Sequence, residues 1–421
     1  MIENTAQNIV KRVKTASEKD ATVLEHESLR ILIEDVGSMI PEMSLINGRQ
    51  HLNAHWLPWF RPNSGKPYRE SQDGAFWKSE LLYNVTGNFP CIPNFGAGCN
   101  IDGIDMPPHG WAANFPWQFI ACGDDKESGA VWALSVMESP EKAMPLSLRK
   151  IDVLVPGHNV HYVSIAVTNT GNKDQEICAG WHNTVGAPFL AEGCRISAAA
   201  SAWATAPQGS EFDTTTRLAP GREFASLDKA PLGDGGTTDI SRVPGPIGYS
   251  DFAAGCIDSS VHLGWSSVIN PGLKAAYICF FPGPAGAQED DIVLRFNDLW
   301  MQYGGRPYTP WAPYEGGTDL SYCLGTENAI AAYALGLDYS RRVQSVLGTP
   351  TTVTIPGGKH QYIRYGTLFA LYQGQTLDEG ILSLETEANA LVSKGTDGHQ
   401  RFTADPSFSI LKAVESLTAS L

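Results

Sequence analysis

The stretch 163–180 predicts the architecture of this chain. In Val163-Ser164-Ile165-Ala166-Val167-Thr168, branched apolar residues alternate with small or polar ones, which is the period of a strand that buries one face. Asn169-Thr170-Gly171-Asn172 is a turn sequence, and a second strand-like run, 176–180, follows it. The pattern predicts two strands joined by a short turn as an antiparallel β-hairpin.

Similar runs continue this β pattern on both sides. Leu29, Ile31 and Ile33 recur at every second position, as in a mostly buried strand. Further strands are predicted at 131–137, 148–155, 275–281, 351–355 and 361–372. Because no long helices alternate with these runs, the sequence favours an all-β antiparallel sandwich over a parallel α/β sheet.

Helices are expected only at the two ends of the chain. An N-terminal helix over 6–19 would place these apolar residues on one face: Ile9, Val10, Val13 and Ala16. Asp405-Pro406 is typical of a helix start, and a C-terminal helix is predicted over 406–420. With no fixed-period repeat and no linker, we expect a single domain over 1–421.

Composition excludes several classes of partner. The 421 residues carry a net charge of −15 without a Lys/Arg-rich tract, so neither nucleic acid nor an anionic membrane is an expected partner. No apolar stretch approaches the roughly 20 residues of a membrane-spanning helix. Met1 is not followed by a secretory signal, and the eight cysteines form no CxxC pair. A cytoplasmic protein is expected.

Two segments place a histidine close to a tryptophan. They are Pro107-Pro108-His109-Gly110-Trp111 and Gly180-Trp181-His182-Asn183. Histidine can transfer a proton near neutral pH, and an indole offers a flat apolar face to a sugar ring. Together the segments predict carbohydrate chemistry by proton transfer. Either histidine alone could instead be a loop residue that bonds to backbone carbonyls.

Four short segments resemble the aldose 1-epimerase, or galactose mutarotase-like, family over about residues 25–375. In chain order they are 29–33 with Gly37-Ser38-Met39-Ile40, His109-Gly110-Trp111, Gly180-Trp181-His182, and Cys323-Leu324-Gly325-Thr326-Glu327-Asn328. The resemblance implies a galactose mutarotase-like supersandwich with short terminal helices. It also implies that Glu327 is the catalytic base, that His182 is the acid, and that His109 bonds near the ring oxygen.

Interconversion of the anomers of an aldose calls for these residue types. A base takes the proton of the C1 hydroxyl while an acid protonates the ring oxygen, and the roles reverse after rotation about the C1–C2 bond. No cofactor is expected for this reaction. The spacings His51-x3-His55 and His158-x2-His161 lack a supporting cysteine or carboxylate, so no metal site is predicted either.

The residues expected to hold the sugar depart from the family pattern. Family members carry arginines before the first histidine, whereas 94–100 reads Asn-Phe-Gly-Ala-Gly-Cys-Asn. The resemblance therefore implies the family's fold and chemistry but not its usual substrate. Arg49 is a candidate replacement cation, with a solvated surface arginine as the alternative. The predicted substrate contacts are Asp251, Trp181, Trp111, Arg49 and Trp300.

Two other functions stay open, both with a small-molecule carbohydrate as the partner. A lyase or hydrolase on the same scaffold would need a further carboxylate or tyrosine facing Glu327, for which Tyr308, Tyr314 and Asp251 are candidates. A non-catalytic carbohydrate-binding protein is favoured if Glu327 points away from both histidines.

Overall fold

A computed structural model describes residues 9–48 and 50–421. The strands, in chain order, are β1 (Ile9–Lys14), β2 (Asp20–His26), β3 (Leu29–Glu34), β4 (Glu42–Asn47), β5 (Gln50–Asn53), β6 (Phe89–Cys91), β7 (Cys99–Ile101), β8 (Ile104–Met106), β9 (Gln118–Asp124), β10 (Val131–Glu138), β11 (Leu146–Leu154), β12 (Val160–Asn169), β13 (Gln175–Ile177), β14 (Ala179–His182), β15 (Thr184–Gly186), β16 (Arg195–Ala198), β17 (Ala202–Thr205), β18 (Glu223–Phe224), β19 (Ala230–Pro231), β20 (Thr237–Thr238), β21 (Tyr249–Cys256), β22 (Leu263–Asn270), β23 (Ala275–Pro282), β24 (Phe296–Tyr303), β25 (Tyr322–Ile330), β26 (Ser345–Val346), β27 (Thr349–Pro350), β28 (Val353–Ile355), β29 (His360–Leu371), β30 (Ser383–Glu387), β31 (Ala390–Gly395) and β32 (Gly398–Thr403). The helices are α1 (Glu70–Trp77), α2 (Glu80–Asn84), α3 (Gly110–Asn114), α4 (Leu337–Val343) and α5 (Ser409–Thr418), with a 3-10 turn at Leu227–Lys229.

Two eight-stranded antiparallel sheets form the body of the protein. The first has the order β16-β22-β23-β29-β12-β11-β10-β9, and the second has the order β18-β17-β21-β24-β25-β14-β6 with β15 also paired to β25. A five-stranded N-terminal sheet (β1 to β5) and a three-stranded sheet near the C-terminus (β30 to β32) complete the main framework. The chain therefore has the all-β sandwich architecture that its sequence predicts.

A polar network crosses the interface between the two large sheets. Asn183, which follows β14, donates to the Tyr365 hydroxyl of β29 at 2.5 Å, and Tyr365 in turn bonds to Asn328 of β25. These groups are buried, where satisfied hydrogen bonds favour one packing arrangement. The network fixes β14 and β25, and with them the residues that precede Asn183 and Asn328, namely His182 and Glu327.

The N-terminal helix predicted over 6–19 is wrong within the described residues. β1 pairs antiparallel with β2, with Ile9 opposite Glu25 and Lys14 opposite Asp20. Three of its six residues are β-branched, which favours a strand. The predicted start of the helix, 6–8, lies outside the described residues. The C-terminal helix is present as α5, inside the predicted range.

The predicted hairpin is also wrong: its first strand is present as β12, but its second strand, 176–180, is divided between β13 and β14 in different sheets. β12 pairs with β11 on one side and β29 on the other, so neither edge is free for the strand that follows it. β13 pairs with β28, and β14 continues into the second sheet between β6 and β25. The turn after β12 therefore leads the chain out of the first sheet.

The remaining strand predictions agree with the structure in β3, β10, β11, β23, β28 and β29. The expectation of helices only at the two ends is wrong, because the short helices α1 to α4 lie within the chain. Five residues at and after the junction of α1 and α2 line the cavity described below: Lys78, Ser79, Leu81, Leu82 and Val85. No helix among the described residues has the length and apolar character needed to cross a membrane. The assignment of 1–421 to a single domain stays a prediction.

Candidate active site

A cavity of about 370 Å³ lies at the face of the second sheet that points away from the first. His109, His182 and Glu327 all line it. Successive side chains of a strand point to opposite faces, so Asn183 and Asn328 reach the sheet interface while His182 and Glu327 reach the cavity. The three residues that the sequence predicts to be catalytic therefore line the same concave site.

His182 and Glu327 meet because their strands are neighbours. Trp181 of β14 lies opposite Asn328 of β25, which brings His182 next to Glu327. The distance from His182 Nε2 to Glu327 Oε1 is 3.1 Å. The other ring nitrogen, Nδ1, lies 2.8 Å from the Thr184 hydroxyl. Both ring nitrogens thus have a partner, which fixes the orientation of the imidazole.

Burial favours the uncharged forms of both groups. It lowers the pKa of His182 well below its ordinary value, and it raises the pKa of Glu327 well above its own, with smaller contributions from Asp298 and Glu211. At neutral pH the pair therefore holds one proton between the carboxyl and the imidazole. Moving that proton across the hydrogen bond converts the neutral pair into a carboxylate and an imidazolium.

His109 presents a single, defined proton to the cavity. Its Nδ1 accepts the backbone N–H of Gly96 at 3.2 Å and lies 3.2 Å from the Cys91 thiol. Burial raises the pKa of Cys91 and lowers that of His109 to about 3, so both groups are neutral. Because Nδ1 is the acceptor, we assign the ring proton to Nε2. His109 is therefore a hydrogen-bond donor rather than a cation.

Aromatic rings hold the two histidines in place. The Phe89 ring stacks on His182 with centroids 4.4 Å apart, and the rings of His109 and His182 meet edge to face at 4.9 Å. Trp300, which also lines the cavity, contacts the His182 ring at 5.7 Å. Among the predicted sugar contacts, Trp300 is the tryptophan that the structure places in the cavity.

Gly325 leaves room for the Glu327 carboxyl. A Cβ at position 325 would lie 2.7 Å from Glu327 Oε1 and 3.1 Å from the Trp300 Cβ. We expect Gly325→Ala to push the carboxyl away from His182 and to lower kcat roughly 10²-fold, the effect of a misplacement of about 1 Å. Steady-state kinetics would measure the loss. Gly233→Ala is the matched control, because its Cβ would meet only the Arg217 carbonyl oxygen at 3.6 Å. Equal activity of both variants would contradict this role.

Arg306 is the buried cation of the cavity, and the sequence did not single it out. It is 4% exposed, donates from Nη2 to Glu211 Oε2 at 3.1 Å, and lies with its guanidinium 4.6 Å from the Trp311 ring centroid. The predicted cation, Arg49, lies outside the described residues. Arg306 follows Gly304-Gly305 in the loop between β24 and β25, the strands that carry Trp300 and Glu327. The position of Arg306 in this loop is the sequence signal that could have identified it.

Two predicted tryptophan contacts do not line the cavity. Trp181 is fully buried between the sheets, with its ring 5.5 Å from that of Tyr365. It precedes His182 in the same strand, so the two side chains take opposite faces. Trp111 belongs to α3 and is buried in the core. Both predicted roles in sugar stacking are corrected to roles in packing.

Asp251 likewise lies outside the cavity lining. Its Oδ2 accepts from Arg217 Nε at 2.6 Å, and its Oδ1 accepts from the Thr216 hydroxyl and the Arg217 backbone N–H. Both oxygens are thus occupied by a neighbouring loop. Of the tyrosines that the sequence offered for a lyase or hydrolase, Tyr308 lines the cavity, whereas Tyr314 is outside the lining and 67% exposed.

The four histidines weighed as metal ligands have other partners; His158 Nδ1, for example, lies 2.8 Å from the Tyr162 hydroxyl. His55 is hydrogen-bonded with the Ile40 carbonyl and the Tyr277 hydroxyl, and His161 with Asp152. His51 lies 3.4 Å from Glu42. Within 9–48 and 50–421 there is no cluster of three histidine, cysteine or carboxylate side chains suited to a metal ion.

Comparisons with known proteins identify the fold. No family model and no curated protein sequence matches the chain. Among solved structures, a provisionally assigned aldose 1-epimerase from Klebsiella pneumoniae superposes with a TM-score of 0.59 at 14% identity, over 86% of this chain and 83% of that one. A galactose mutarotase-like protein from Clostridium acetobutylicum gives 0.56 at 12% identity, over 88% and 100%. A provisionally assigned mutarotase from Salmonella typhimurium gives 0.54 at 12% identity, over 87% and 97%. The chain has the galactose mutarotase-like fold.

Proposed function

We propose that this galactose mutarotase-like chain is an aldose 1-epimerase-like isomerase that interconverts the anomers of a sugar or sugar derivative. The observation that supports it best is the contact of His182 Nε2 with Glu327 Oε1 at 3.1 Å, in a cavity that His109 also lines. An acid and a base that share one proton are what reversible ring opening requires.

In the proposed reaction the pair first adopts its ionised form. The Glu327 carboxylate takes the proton of the C1 hydroxyl, and the His182 imidazolium gives a proton to the ring oxygen as the bond from C1 to that oxygen breaks. The product is the open-chain aldehyde, with Glu327 protonated and His182 neutral. After rotation about C1–C2, His182 takes the proton back, Glu327 returns its own, and the ring closes as the other anomer.

Other cavity residues supply positioning in this proposal. His109 donates from Nε2 to the ring oxygen and stabilises the charge that develops there. The Trp300 indole gives the sugar ring an apolar face. Arg306 and Glu211 offer a donor and an acceptor to hydroxyl groups, the pairing that sugars use when they bind.

The geometry bears on the two alternatives. A Glu327 side chain that pointed away from both histidines would favour a purely sugar-binding protein, whereas Glu327 contacts His182. A lyase or hydrolase would need a second acid or base, for which the cavity offers Glu211 and Tyr308. Glu211 is paired with Arg306, and burial raises the pKa of Tyr308, so neither is a ready base, and Tyr308 could serve only as an acid.

Anomer exchange measured directly tests the proposal. We expect the protein to accelerate exchange of at least one aldose in a panel of neutral, deoxy and uronic sugars, followed by NMR saturation transfer at the C1 proton or by polarimetry. Ligand-observed NMR on the same panel identifies which sugars bind. A sugar that binds in the cavity but exchanges no faster than in buffer, with no exchange for any other, would exclude the isomerase.

A further inference from the structure

A buried carboxyl group that the proposed reaction does not use lies beside the base. Asp298 of β24 is directly opposite Glu327 of β25 in the antiparallel register, so the two side chains share one face of the sheet, with their Cβ atoms about 4.5–5.5 Å apart. Asp298 is 0% exposed and does not line the cavity. It therefore approaches Glu327 from inside the protein, on the side away from a bound sugar.

The surroundings of Asp298 do not support a negative charge. Both of its carboxyl oxygens are buried without a hydrogen-bond partner in the part of the chain that the structure describes, and its neighbour on β21 is Ala254. An ionised carboxylate in this place would lose its hydration without compensation. Burial accordingly raises the pKa of Asp298 well above its ordinary value. At neutral pH the group is a carboxylic acid.

A protonated carboxyl has one O–H to donate, and the register places Glu327 opposite it as an acceptor. Glu327 Oε1 faces His182 Nε2, but a carboxylate has about four acceptor positions, which leaves room for both Asp298 and the C1 hydroxyl. An ionised Asp298 would act in the opposite direction, because its charge would repel the Glu327 carboxylate and raise the pKa of Glu327. The protonation state of Asp298 therefore decides the sign of its effect on the base.

We propose that Asp298 is a positioning residue for the general base: as a neutral carboxylic acid it donates a hydrogen bond to Glu327 and stabilises the carboxylate that takes the C1 proton. This inference rests on the proposed function, in which Glu327 is the base. The bond strengthens when Glu327 ionises, since hydrogen bonds to charged groups are stronger than neutral ones. Asp298 keeps its own proton throughout, so the proton balance of the reaction is unchanged.

Other titratable groups surround the two carboxyls. Those on the cavity side are His109, His182, Arg306 and Glu211. Those on the protein side are Cys91, Cys256, Cys323 and Tyr333. Burial raises the pKa of Cys91 and Cys323, and that of Tyr333 to about 12, so these three stay neutral through neutral pH. Arg306 and Glu211 are paired with each other.

Two substitutions of Asp298 test the proposal. Asp298→Asn keeps the size of the side chain and, through its amide, a neutral donor, so kcat for anomer exchange should stay close to the wild-type value. Asp298→Ala removes the donor, and kcat should fall by about 10- to 100-fold, the contribution of a hydrogen bond to a charged group. Sugar affinity should change little in either variant. NMR saturation transfer gives the rates, and ligand-observed NMR gives the affinities.

The pH profile gives the sign of the effect. Without the donor the Glu327 carboxylate is harder to form, so the alkaline limb of Asp298→Ala should move up by about one to two pH units, while Asp298→Asn keeps the wild-type limb. A limb that moves down in both variants would show that Asp298 is ionised and repels Glu327, and would overturn the proposal. Equal losses of kcat in both variants, or no change in either, would overturn it as well.

Asp251→Asn is the matched control for a buried aspartate of the same sheet. The Asp251 oxygens accept from Arg217 and Thr216, so this variant should lower the urea midpoint while its alkaline limb stays at the wild-type pH. Asp298→Asn should keep the midpoint, because Asp298 has no ion pair to lose in the described part of the chain. A lowered midpoint in Asp298→Asn, with a loss of kcat, would assign Asp298 to packing and overturn the proposal.

Difference infrared spectroscopy separates this inference from the proposed function, because it needs no sugar. In a Glu327→Gln background at neutral pH, the carbonyl band of a protonated carboxyl should be present and should disappear in Glu327→Gln/Asp298→Asn. The pH at which Glu327 ionises should be higher in Asp298→Ala than in the wild type. These two results establish the hydrogen bond even when no sugar is exchanged and the isomerase fails. If exchange is fast but the lost band is that of a carboxylate, the isomerase stands and this inference fails.

Discussion

Replacement of Glu327 with glutamine is expected to lower kcat for anomer exchange by about 10²–10⁴-fold, the contribution of a positioned general base. Glutamine keeps the size of the side chain and an acceptor oxygen near His182, but it cannot take the C1 proton. The lost interaction belongs to the transition state, so sugar affinity should change far less than kcat. NMR saturation transfer gives the rate, and ligand-observed NMR gives the affinity.

Two further substitutions complete the test, one of the acid His182 and one of a distant carboxylate that serves as the control. His182→Asn should have a loss of similar size, and Glu327→Gln/His182→Asn should be little worse than either single variant, because the pair acts as a unit. Glu289→Gln, at an exposed glutamate outside the cavity lining, should keep full activity. A Glu327→Gln variant with wild-type kcat would exclude Glu327 as the base.

The pH profile of the wild-type protein carries a second signature of the pair. The competent state holds one proton, so activity falls at low pH when His182 binds a second proton and at high pH when the shared proton leaves Glu327. Because burial lowers the pKa of His182 and raises that of Glu327, the two limbs should move apart and leave a plateau through neutral pH. An acid limb at the ordinary histidine value of about 6.5 would contradict this arrangement.

Much of the site was predictable because it depends on strand periodicity. His182 and Asn183 are adjacent, as are Glu327 and Asn328, so an alternating pattern sends one member of each pair to the cavity and the other to the sheet interface. The same rule corrects Trp181, since a residue next to His182 in a strand cannot share its face. That correction was available from the sequence alone.

The remaining parts of the site and of the fold depend on contacts that the sequence pattern does not specify. The order of the strands places β25 between β24 and β14, and only that order brings Trp300, Glu327 and His182 together. The hairpin after β12 was wrong for the same reason, because β29, some two hundred residues later, occupies the edge of β12. Arg306 reaches the cavity through a loop whose path follows from this strand order.

A buried ion cluster on the first sheet gives the largest expected effect on stability. Lys150 and Asp152 of β11 are almost fully buried; Lys150 Nζ donates to Asp152 Oδ1 at 2.5 Å, and His161 of β12 lies 2.9 Å from the same oxygen. Burial is the largest influence on the pKa of Lys150 and on that of Asp152, and it disfavours the charged form of both groups. Lys150 and His161 nevertheless hold the pKa of Asp152 below its ordinary value. The carboxylate is therefore stabilised by partners rather than by water.

Asp152→Asn should destabilise the fold by about 3–5 kcal/mol, because it leaves the Lys150 ammonium buried without a counter-charge. Urea denaturation followed by tryptophan fluorescence measures the change. Lys150→Met/Asp152→Asn should recover most of the loss, since the unpaired charge is then gone while the amide can still bond to His161. Glu387→Gln, which removes the exposed 3.0 Å pair with Arg401, should cost no more than about 1 kcal/mol. If the double variant were as unstable as Asp152→Asn alone, the loss would come from packing at Asp152 and not from the buried charge.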